Sequence, residues 1–294
     1  MKKLLLFCAL IISCSALSQI PNYYNDVNLN QTSTALKDAL ALKIITTHTT
    51  NLSYTPGVWD ALKQTDLDPN DNTKVLLIYG YSDIDGNYVT DRTRDKNLNG
   101  GTSGTQWNRE HTYPRSRGGF YSIIFDDIED GKDIFWATEA DSLRHGNSDA
   151  HALRASDGPE NSSRNNQNYG SVEYDGPAGN AGSFYGDVAR SVLYMAVRYN
   201  GLAVIEGYPG IDPIGQLGDL ATLLEWHRND PPDDYEMNRN NVVYTWQYNR
   251  NPFIDEPDLV EYLWGTHVGD VWSQSLGLSD TIETQIKVFP NPSN

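Results

Sequence analysis

The sequence predicts an α+β fold that is rich in helices. Several stretches repeat apolar residues with the 3.6-residue period of an amphipathic helix, whereas few stretches have the branched and aromatic character of strands. At 294 residues the chain is long enough to bury one large core, and its composition shows no collagen-like, coiled-coil or disordered bias. We therefore expect a single helix-rich domain.

The first residues are typical of a secretory signal peptide. Two lysines precede an apolar run, Leu4–Ile12, that is too short to cross a bilayer. The small residues that follow favour cleavage before Gln19, so residues 1–18 are the predicted leader. A lipoprotein signal with Cys14 as the lipidated residue is the alternative. Either route places the protein outside the cell or on its surface.

Cysteine usage and charge exclude some classes of protein. Both cysteines, Cys8 and Cys14, lie in the leader, so the mature chain has neither disulfides nor cysteine-ligated zinc or iron–sulfur sites. The net charge is −17, and loss of the leader's two lysines makes it more negative. Proteins that bind the phosphate backbone of nucleic acid normally have a basic surface. Binding to nucleic acid here requires a local basic cleft in an acidic shell.

The first third of the chain predicts two helices and a strand. Apolar residues recur with helical spacing over Ala35–Thr47, Pro56 suits the first turn of a short helix, and the run Lys74–Tyr81 predicts a strand. The polar segment that follows contains Asp83–Asn87, which looks like part of a calcium-binding loop. Arg92 stands where such a loop has its bidentate glutamate, so we predict a turn.

A carboxylate and an imidazole stand side by side in Gln106–Tyr113, which predicts a strand ended by Pro114. Glu110 offers an oxygen ligand for a hard cation, His111 offers a base for water, and nearby guanidinium groups suit phosphate oxygens. This is the equipment for metal-assisted attack on a phosphodiester, and a half-buried structural histidine is the alternative interpretation. The guanidinium groups belong to Arg109, Arg115 and Arg117.

The segment after this stretch predicts another strand and a helix. Asp149–Arg154 alternates like a short strand, and Asp157 caps a helix that runs to about Gln167. Before them, an acidic run predicts a solvated loop without a role, and Ile134–Arg144 predicts a helix. Apolar stripes predict further helices at Asp187–Asn200, Asp219–Asp230, Asp234–Trp246 and Pro257–Gly265.

Five separated segments, in the same order, resemble the bacterial endonuclease I family between about Leu76 and Gly265. This resemblance implies a secreted or periplasmic nonspecific nuclease with a ββα-metal (His-Me finger) active site. It assigns residues 19–279 to the nuclease domain. The segments are NREHTYPRSRG, DAHALRASDGPENSSRNNQNYG, GDVARSVLYMAVRYNG, LLEWHRNDPPDDYEMNRNN and NRNPFIDEPDLVEYLWG.

The resemblance assigns roles by position. Glu110 matches the family's metal-binding glutamate and His111 matches its general base. Asn166 matches the metal-binding asparagine of an Arg-Ser-Asn segment, although an asparagine replaces the serine here and either asparagine can be the one that points inward. The phosphate-binding arginine of the family corresponds to Arg115 or Arg117.

Further side chains have supporting assignments. Neighbours on a regular strand face opposite ways, so Glu110 and His111 share a site only if the strand bends or bulges just before Pro114. We predict such a distortion. Asp149 and His151 are assigned to structural support of the site. Two arginines either line a phosphate groove or pair with carboxylates: Arg154 and Arg164.

The resemblance also implies the cofactor and the substrates. The cofactor is a divalent cation, with Mg²⁺ expected and Mn²⁺ or Ca²⁺ possible. The substrates are DNA and also RNA, the products carry 5′-phosphates, and no stable protein partner is expected. Two other functions compete with this one. One is a secreted binding module that kept the scaffold and lost activity, and the other is a metal phosphoesterase for small phosphate esters.

The C-terminal segment points to an export route. Residues Lys287–Asn294, KVFPNPSN, resemble the opening of the C-terminal sorting domain of the type IX secretion system. We therefore interpret residues 280–294 as a linker and the truncated start of such a domain, which makes the secretion machinery an expected partner. A Pro-Asn turn at a flexible terminus is the alternative.

Overall fold

The computed structural model describes residues 22–101, 103–120, 146–180, 182–199, 201–210 and 214–273. The predicted leader, acidic loop, helix Ile134–Arg144 and C-terminal sorting segment lie outside these residues. Within the described part of the chain, none of the helices combines the length and the apolar character needed to cross a membrane.

Helices and short strands alternate along the chain, which agrees with the predicted α+β class. The helices are α1 (Ser33–Thr47), α2 (Gly57–Thr65), α3 (Arg115–Gly118), α4 (Gly158–Arg164), α5 (Tyr185–Arg198), α6 (Leu220–Asn229), α7 (Asp234–Gln247), α8 (Pro252–Asp255) and α9 (Leu259–Leu263). The strands are β1 (Leu67–Asp68), β2 (Asp71–Leu76), β3 (Thr93–Asp95), β4 (Trp107–His111), β5 (Leu153–Asp157), β6 (Ala203–Val204) and β7 (Gln216–Leu217).

The strands form small sheets rather than one large one. β1, β2 and β3 make an antiparallel three-stranded sheet, β4 pairs with β5 antiparallel, and β6 pairs with β7 in parallel. Two apolar clusters flank the β4–β5 pair. The first is built around α5, α1 and α6, and the second joins α2, β2 and α7 to Leu153 and Ala155 of β5.

α5 is the central helix of the first cluster, and every residue from Gly186 to Arg198 is buried. The predicted apolar stripe, with Val188 and Val192 one turn apart, packs in this cluster. Arg190, one of its buried polar residues, is ion-paired with Glu236 at 2.5 Å. A helix buried on all sides gives the smaller elements around it a rigid support.

Several predicted helix boundaries are confirmed, because capping is a local interaction. The Asp157 carboxylate accepts a hydrogen bond from the Glu160 amide at 2.8 Å at the start of α4. Asp219 caps α6 in the same way, and Pro56 immediately precedes α2. The predicted turn is also confirmed, since the Asn87 amide donates to the Asp85 carboxylate at 2.9 Å.

Two predicted strands are displaced. β2 ends at Leu76, and Tyr79 has a positive φ of 75° that no strand accommodates. Asp149–Ala152 is a turn rather than the start of a strand, and β5 begins only at Leu153. The amide of Leu153 donates to the Asp149 carbonyl at 3.1 Å, which closes the turn. Every residue from Asp149 to Arg154 is buried, so the alternating pattern does not correspond to two faces of a strand.

Candidate active site

The β4–β5 pair and α4 form one continuous unit. β5 runs directly into α4, and the side-chain amide of Asn161 on α4 donates to the Arg109 carbonyl of β4 at 2.9 Å. This bond places α4 along the edge of β4 that does not pair with β5. Glu110 and His111 end the first strand, and Asn165 and Asn166 follow the helix.

The predicted distortion just before Pro114 is a bend that follows His111, and β4 stays regular through Glu110 and His111. Glu110 pairs with Arg154 and His111 with Leu153 in unbroken register. The chain instead leaves the strand after His111 and bends at Thr112. Both side chains nevertheless line one cavity. Glu110 and His111 point to opposite faces of β4. The cavity lies at the edge of the strand, so side chains from both faces can line it.

Two adjoining cavities open at this edge. Cavity 1 has a volume of about 560 Å³, and cavity 2 has about 510 Å³. Both are lined by His111, Arg115 and Asn161, so they form one groove. Cavity 1 is further lined by Glu110, Asn165 and Asn166, and cavity 2 by Tyr54, Trp59, Asn108 and Arg109.

The groove is cationic although the protein is acidic. Among the described residues that line the two cavities, Glu110 is the one acid, whereas Arg109 and Arg115 contribute positive charge. Neither arginine pairs with a carboxylate in the described part of the chain. The described lining of the groove therefore carries net positive charge, within a chain of net charge −17.

Glu110 is a buried carboxylate held in a fixed orientation. Its Oε1 accepts a hydrogen bond from the Tyr79 hydroxyl at 2.6 Å and lies 3.5 Å from the Arg164 Nε. Burial raises the pKa of Glu110 to about 7, while Arg164 and the Tyr79 hydrogen bond oppose the rise. Burial disfavours the charged form of this carboxyl, and a bound cation would stabilise it.

His111 is placed as a neutral base. Its Nε2 lies 3.0 Å from the Asn147 carbonyl oxygen, which can only accept, so the ring proton is on Nε2 and Nδ1 keeps its lone pair. The ring stacks on Tyr54 with centroids 5.8 Å apart. Burial holds the pKa of His111 well below its usual value, and the charges of Arg115 and Arg109 lower it further.

The two arginines predicted to bind phosphate have different surroundings. Arg117 is 2% exposed, and its guanidinium donates to main-chain carbonyls, including those of Asn166 at 2.5 Å and Gly210 at 3.0 Å. It lines neither cavity. Arg115 is half-buried, lines both cavities, and makes no hydrogen bond or ion pair with the described residues.

The other two predicted arginines are buried and pair with carboxylates. Arg154 is 2.8 Å from Asp187 and 3.8 Å from Asp66, remote from both cavities. Arg164 is completely buried, donates to the Thr112 carbonyl at 3.0 Å and contacts Glu110. Arg164 therefore holds the carboxylate of Glu110 rather than a phosphate in the groove.

Asp149 and His151 belong to a buried polar network behind the site. Asp149 accepts hydrogen bonds from the hydroxyls of Tyr194 and Tyr199, both at 2.8 Å, and from Gln247 at 2.9 Å. Burial lowers the pKa of His151 to about 3, so it is neutral. The network anchors the turn that follows Asn147, whose carbonyl orients His111.

Sequence reasoning missed the groups that hold the catalytic candidates. Tyr79 contacts Glu110 from 31 residues away, and Asn147 contacts His111 from 36 residues away. No local sequence pattern predicts contacts of this kind. Asn161 carried a weak signal, because it precedes Asn165 by about one helical turn on α4. Tyr54 carried none.

α4 ends earlier than predicted, so Asn166 is not on the helix. The last helical residue is Arg164, and Asn165 has a left-handed φ of 50°. Both asparagines line cavity 1, so the geometry leaves the choice between them open. Within the described ranges there is no cluster of three or more His, Cys, Asp or Glu that could hold a metal. A site made of Glu110, one amide oxygen and waters suits Mg²⁺, which keeps several waters.

Comparison of the sequence with known proteins identifies the family of this chain. The family model for endonuclease I matches residues 32–258. An extracellular ribonuclease of Bacillus subtilis (strain 168) is 36% identical over 265 residues, which cover 82% of this chain and 78% of that protein. An extracellular ribonuclease of Bacillus amyloliquefaciens is 37% identical over 262 residues, with coverage of 82% and 78%. The matched residues include β4, β5 and α4, and the chain belongs to the endonuclease I family.

Proposed function

We propose that this protein is an exported, divalent-metal-dependent nuclease that hydrolyses RNA and DNA without sequence preference. The observation that carries the proposal is the neutral His111 beside the buried Glu110, in a groove whose described lining holds two arginines and no other acid. The two Bacillus relatives are named extracellular ribonucleases, which supports RNA as a substrate and a location outside the cell. In this proposal residues 19–279 form the nuclease domain, and its active site is of the ββα-metal type.

His111 acts as the general base. A water in cavity 1 attacks the phosphorus, and the proton it loses goes to Nδ1, which carries the lone pair. The bond from phosphorus to the 3′ oxygen breaks, so the products carry a 5′-phosphate and a 3′-hydroxyl. Because the nucleophile is water and not the 2′-hydroxyl, the same step applies to DNA.

Glu110 and one of the two asparagines, with Asn166 favoured by the family resemblance, would hold the cation. When bound, Mg²⁺ supplies a Lewis acid for the phosphate oxygens and the departing 3′ oxygen, and Mn²⁺ or Ca²⁺ are the alternatives. Tyr79 and Arg164 hold the carboxylate of Glu110 in position. Oxygen ligands of this kind match a hard cation.

Arg115 is the proposed phosphate-binding arginine. It faces both cavities and its guanidinium is free to pair with phosphate oxygens, whereas that of Arg117 is committed to main-chain carbonyls. Contacts of this kind read the backbone and not the bases, which explains an absence of sequence preference.

Digestion of plasmid DNA and of RNA by the purified protein tests the proposal. With Mg²⁺ we expect both substrates to be degraded to 5′-phosphate products, and EDTA should stop the reaction. If the protein leaves both intact with Mg²⁺, Mn²⁺ and Ca²⁺ but binds them, it is a binding module and not an enzyme. If a small phosphodiester is hydrolysed while both polymers stay intact, it is a phosphoesterase for small substrates.

Alanine variants of the two arginines of α3 should have opposite effects on activity and on stability. We expect Arg115→Ala to lower kcat/KM by about 10²–10³-fold, as does loss of other groups that stabilise transition-state charge. Its stability should change by less than about 1 kcal/mol, because the side chain makes no hydrogen bond or ion pair with the described residues and contacts the Tyr54 ring only at 5.8 Å from the ring centroid. Arg117→Ala should instead destabilise the fold by about 2–4 kcal/mol, because it removes a buried side chain whose guanidinium donates to several main-chain carbonyls.

Denaturant unfolding and steady-state kinetics of the two variants provide the check. The assignment of Arg115 is contradicted if its variant loses stability and keeps kcat/KM, or if Arg117→Ala is stable and inactive. Either result would exchange the roles of the two side chains.

Metal affinity should depend on pH through Glu110. Its pKa of about 7 in the free protein means that the carboxyl is mainly protonated below that pH. A cation must then displace the proton, so the apparent affinity should fall about tenfold per pH unit below pH 7 and level off above about pH 8. Isothermal titration calorimetry in buffers of different ionisation enthalpy measures both the affinity and the released proton.

Near pH 6 we expect close to one proton released for each cation bound. The Glu110→Gln variant is the control, because it has no carboxyl to titrate. An affinity that stays constant between about pH 6 and 8, without proton release, would contradict this prediction, and the loss of affinity in Glu110→Gln would then decide whether Glu110 is the ligand.

A further inference from the structure

Arg109 lines cavity 2 and takes no part in the proposed chemistry. Its guanidinium lies between two aromatic rings, 3.5 Å from the ring centroid of Tyr54 and 4.0 Å from that of Trp59. Both rings are themselves supported, because Tyr54 is 5% exposed and Trp59 packs edge-on against Trp107 at 5.1 Å. The rings hold the plane of the guanidinium in one orientation.

One edge of the guanidinium is also anchored. Nη1 donates to the Tyr54 carbonyl and to the Thr55 hydroxyl, the latter at 3.1 Å. Nη2 makes no hydrogen bond within the described residues and is not among their buried unpaired atoms, so it is accessible to solvent on a side chain that lines cavity 2. Burial lowers the pKa of Arg109 to about 10, which still leaves it fully charged at neutral pH. The result is a fixed cation with donors directed to an open site.

The position of this cation relates it to the catalytic groove. Arg109 and His111 are alternate residues of β4 and therefore project from the same face of the strand. Cavity 2 adjoins cavity 1 through His111, Arg115 and Asn161. A strand of nucleic acid whose scissile phosphate lies in cavity 1 therefore continues into cavity 2.

We propose that cavity 2 is a second phosphate subsite, in which Arg109 binds a non-scissile phosphate next to the one that is cleaved. This inference rests on the proposed nuclease function and adds selectivity for polymers over single phosphodiesters. Base stacking on Tyr54 and Trp59 is the other use for such a site. The guanidinium already covers one face of each ring, and His111 stacks on Tyr54, so we infer that the exposed group of the site is the cation and that a phosphate is its ligand.

Binding of a labelled single-stranded oligonucleotide in EDTA tests the subsite without cleavage. Fluorescence anisotropy is measured over a range of salt concentrations for the full-length protein and its variants. We expect Arg109→Gln to weaken binding about 5–10-fold at low salt and to reduce the salt slope by about 0.7, the value for one phosphate contact on a single strand. Arg109→Lys keeps the charge, so it should retain the slope with weaker binding.

Two further variants separate the subsite from folding and from total charge. Asn108→Asp adds a carboxylate to cavity 2 and keeps the oxygen that accepts from the Arg109 amide at 2.8 Å, so it should also weaken binding. Arg228→Gln removes an exposed charge that pairs with Glu261 at 2.6 Å, remote from the groove, and should bind like wild type.

The inference is overturned if Arg109→Gln keeps the wild-type affinity and slope, or if Arg228→Gln loses as much as Arg109→Gln does. Circular dichroism shows whether Arg109→Gln is folded, and if it is not, wild-type binding by Asn108→Asp overturns the inference instead. These titrations measure binding without hydrolysis, so they test the second phosphate subsite even if the protein has no nuclease activity. Failure of the nuclease proposal appears separately, as intact RNA and plasmid in the digestion experiment.

Discussion

His111→Ala is expected to lower kcat about 10²–10⁴-fold, which is the contribution of a positioned general base. The substitution removes the acceptor for the water proton and leaves Glu110 and Arg115 in place. Binding of an oligonucleotide in EDTA should stay within about threefold of wild type, because the lost side chain was neutral. Single-turnover kinetics at saturating Mg²⁺ measure the chemical step.

Rescue by imidazole distinguishes a base from a structural side chain. His111 lines an open cavity of about 560 Å³, so free imidazole can enter the space that the substitution creates. We expect added imidazole to restore part of the lost rate, more at a pH above its pKa. His267→Ala, at an exposed histidine near the end of the described chain, is the control and should be fully active. Activity of His111→Ala above about a tenth of wild type would remove His111 from the base role.

Glu110→Gln is expected to abolish activity through the metal. The change keeps the shape of the side chain and an oxygen that can accept from the Tyr79 hydroxyl at 2.6 Å, but removes the charge. Mutation of groups that only support a ligand typically costs 10–100-fold in metal affinity, so loss of a ligand charge should cost at least about 100-fold. Titration with Mn²⁺, followed by calorimetry and by activity, measures the effect.

Glu160→Gln is the matched control for this prediction. Glu160 is also buried, and its Oε1 accepts from the Tyr174 hydroxyl at 2.7 Å, but it does not line cavity 1. Its charge acts on Glu110 only through space, so its substitution should change the metal affinity far less than Glu110→Gln does. If Glu110→Gln keeps the wild-type affinity, or if Glu160→Gln loses as much, then the cation binds elsewhere and the roles given to Asn166 and Arg164 are wrong as well.

The helices were predictable because their signals are local. Asp157 and Asp219 cap α4 and α6 through bonds to amides three residues on, and the stripe of α5 reports one buried face within a single helix. The displaced strands show the opposite case. β5 begins at Leu153 because Asp149 is held in a turn by Tyr194 and Tyr199, far along the chain.

The four arginines assigned to the site or its surroundings show the same division. In sequence Arg115, Arg117, Arg154 and Arg164 are equivalent cations near a Glu-His pair. In the fold, Arg117 bonds main-chain carbonyls, Arg154 lies beside two aspartates and Arg164 contacts the carboxylate of Glu110, whereas Arg115 lines the groove. Which cation is available for a phosphate depends on partners up to 99 residues away.

The sequence by itself determined the α+β class, the capped helices, the family, and the residue types that can perform the chemistry. These follow from local periodicity, from capping and from the order of short motifs along the chain. Only the tertiary structure decided that α4 covers the edge of β4, so that Glu110 and His111 share a cavity without a bulge. It also decided that an acidic chain presents a cationic groove, because charge at a surface depends on which side chains the fold buries in pairs and which it leaves exposed.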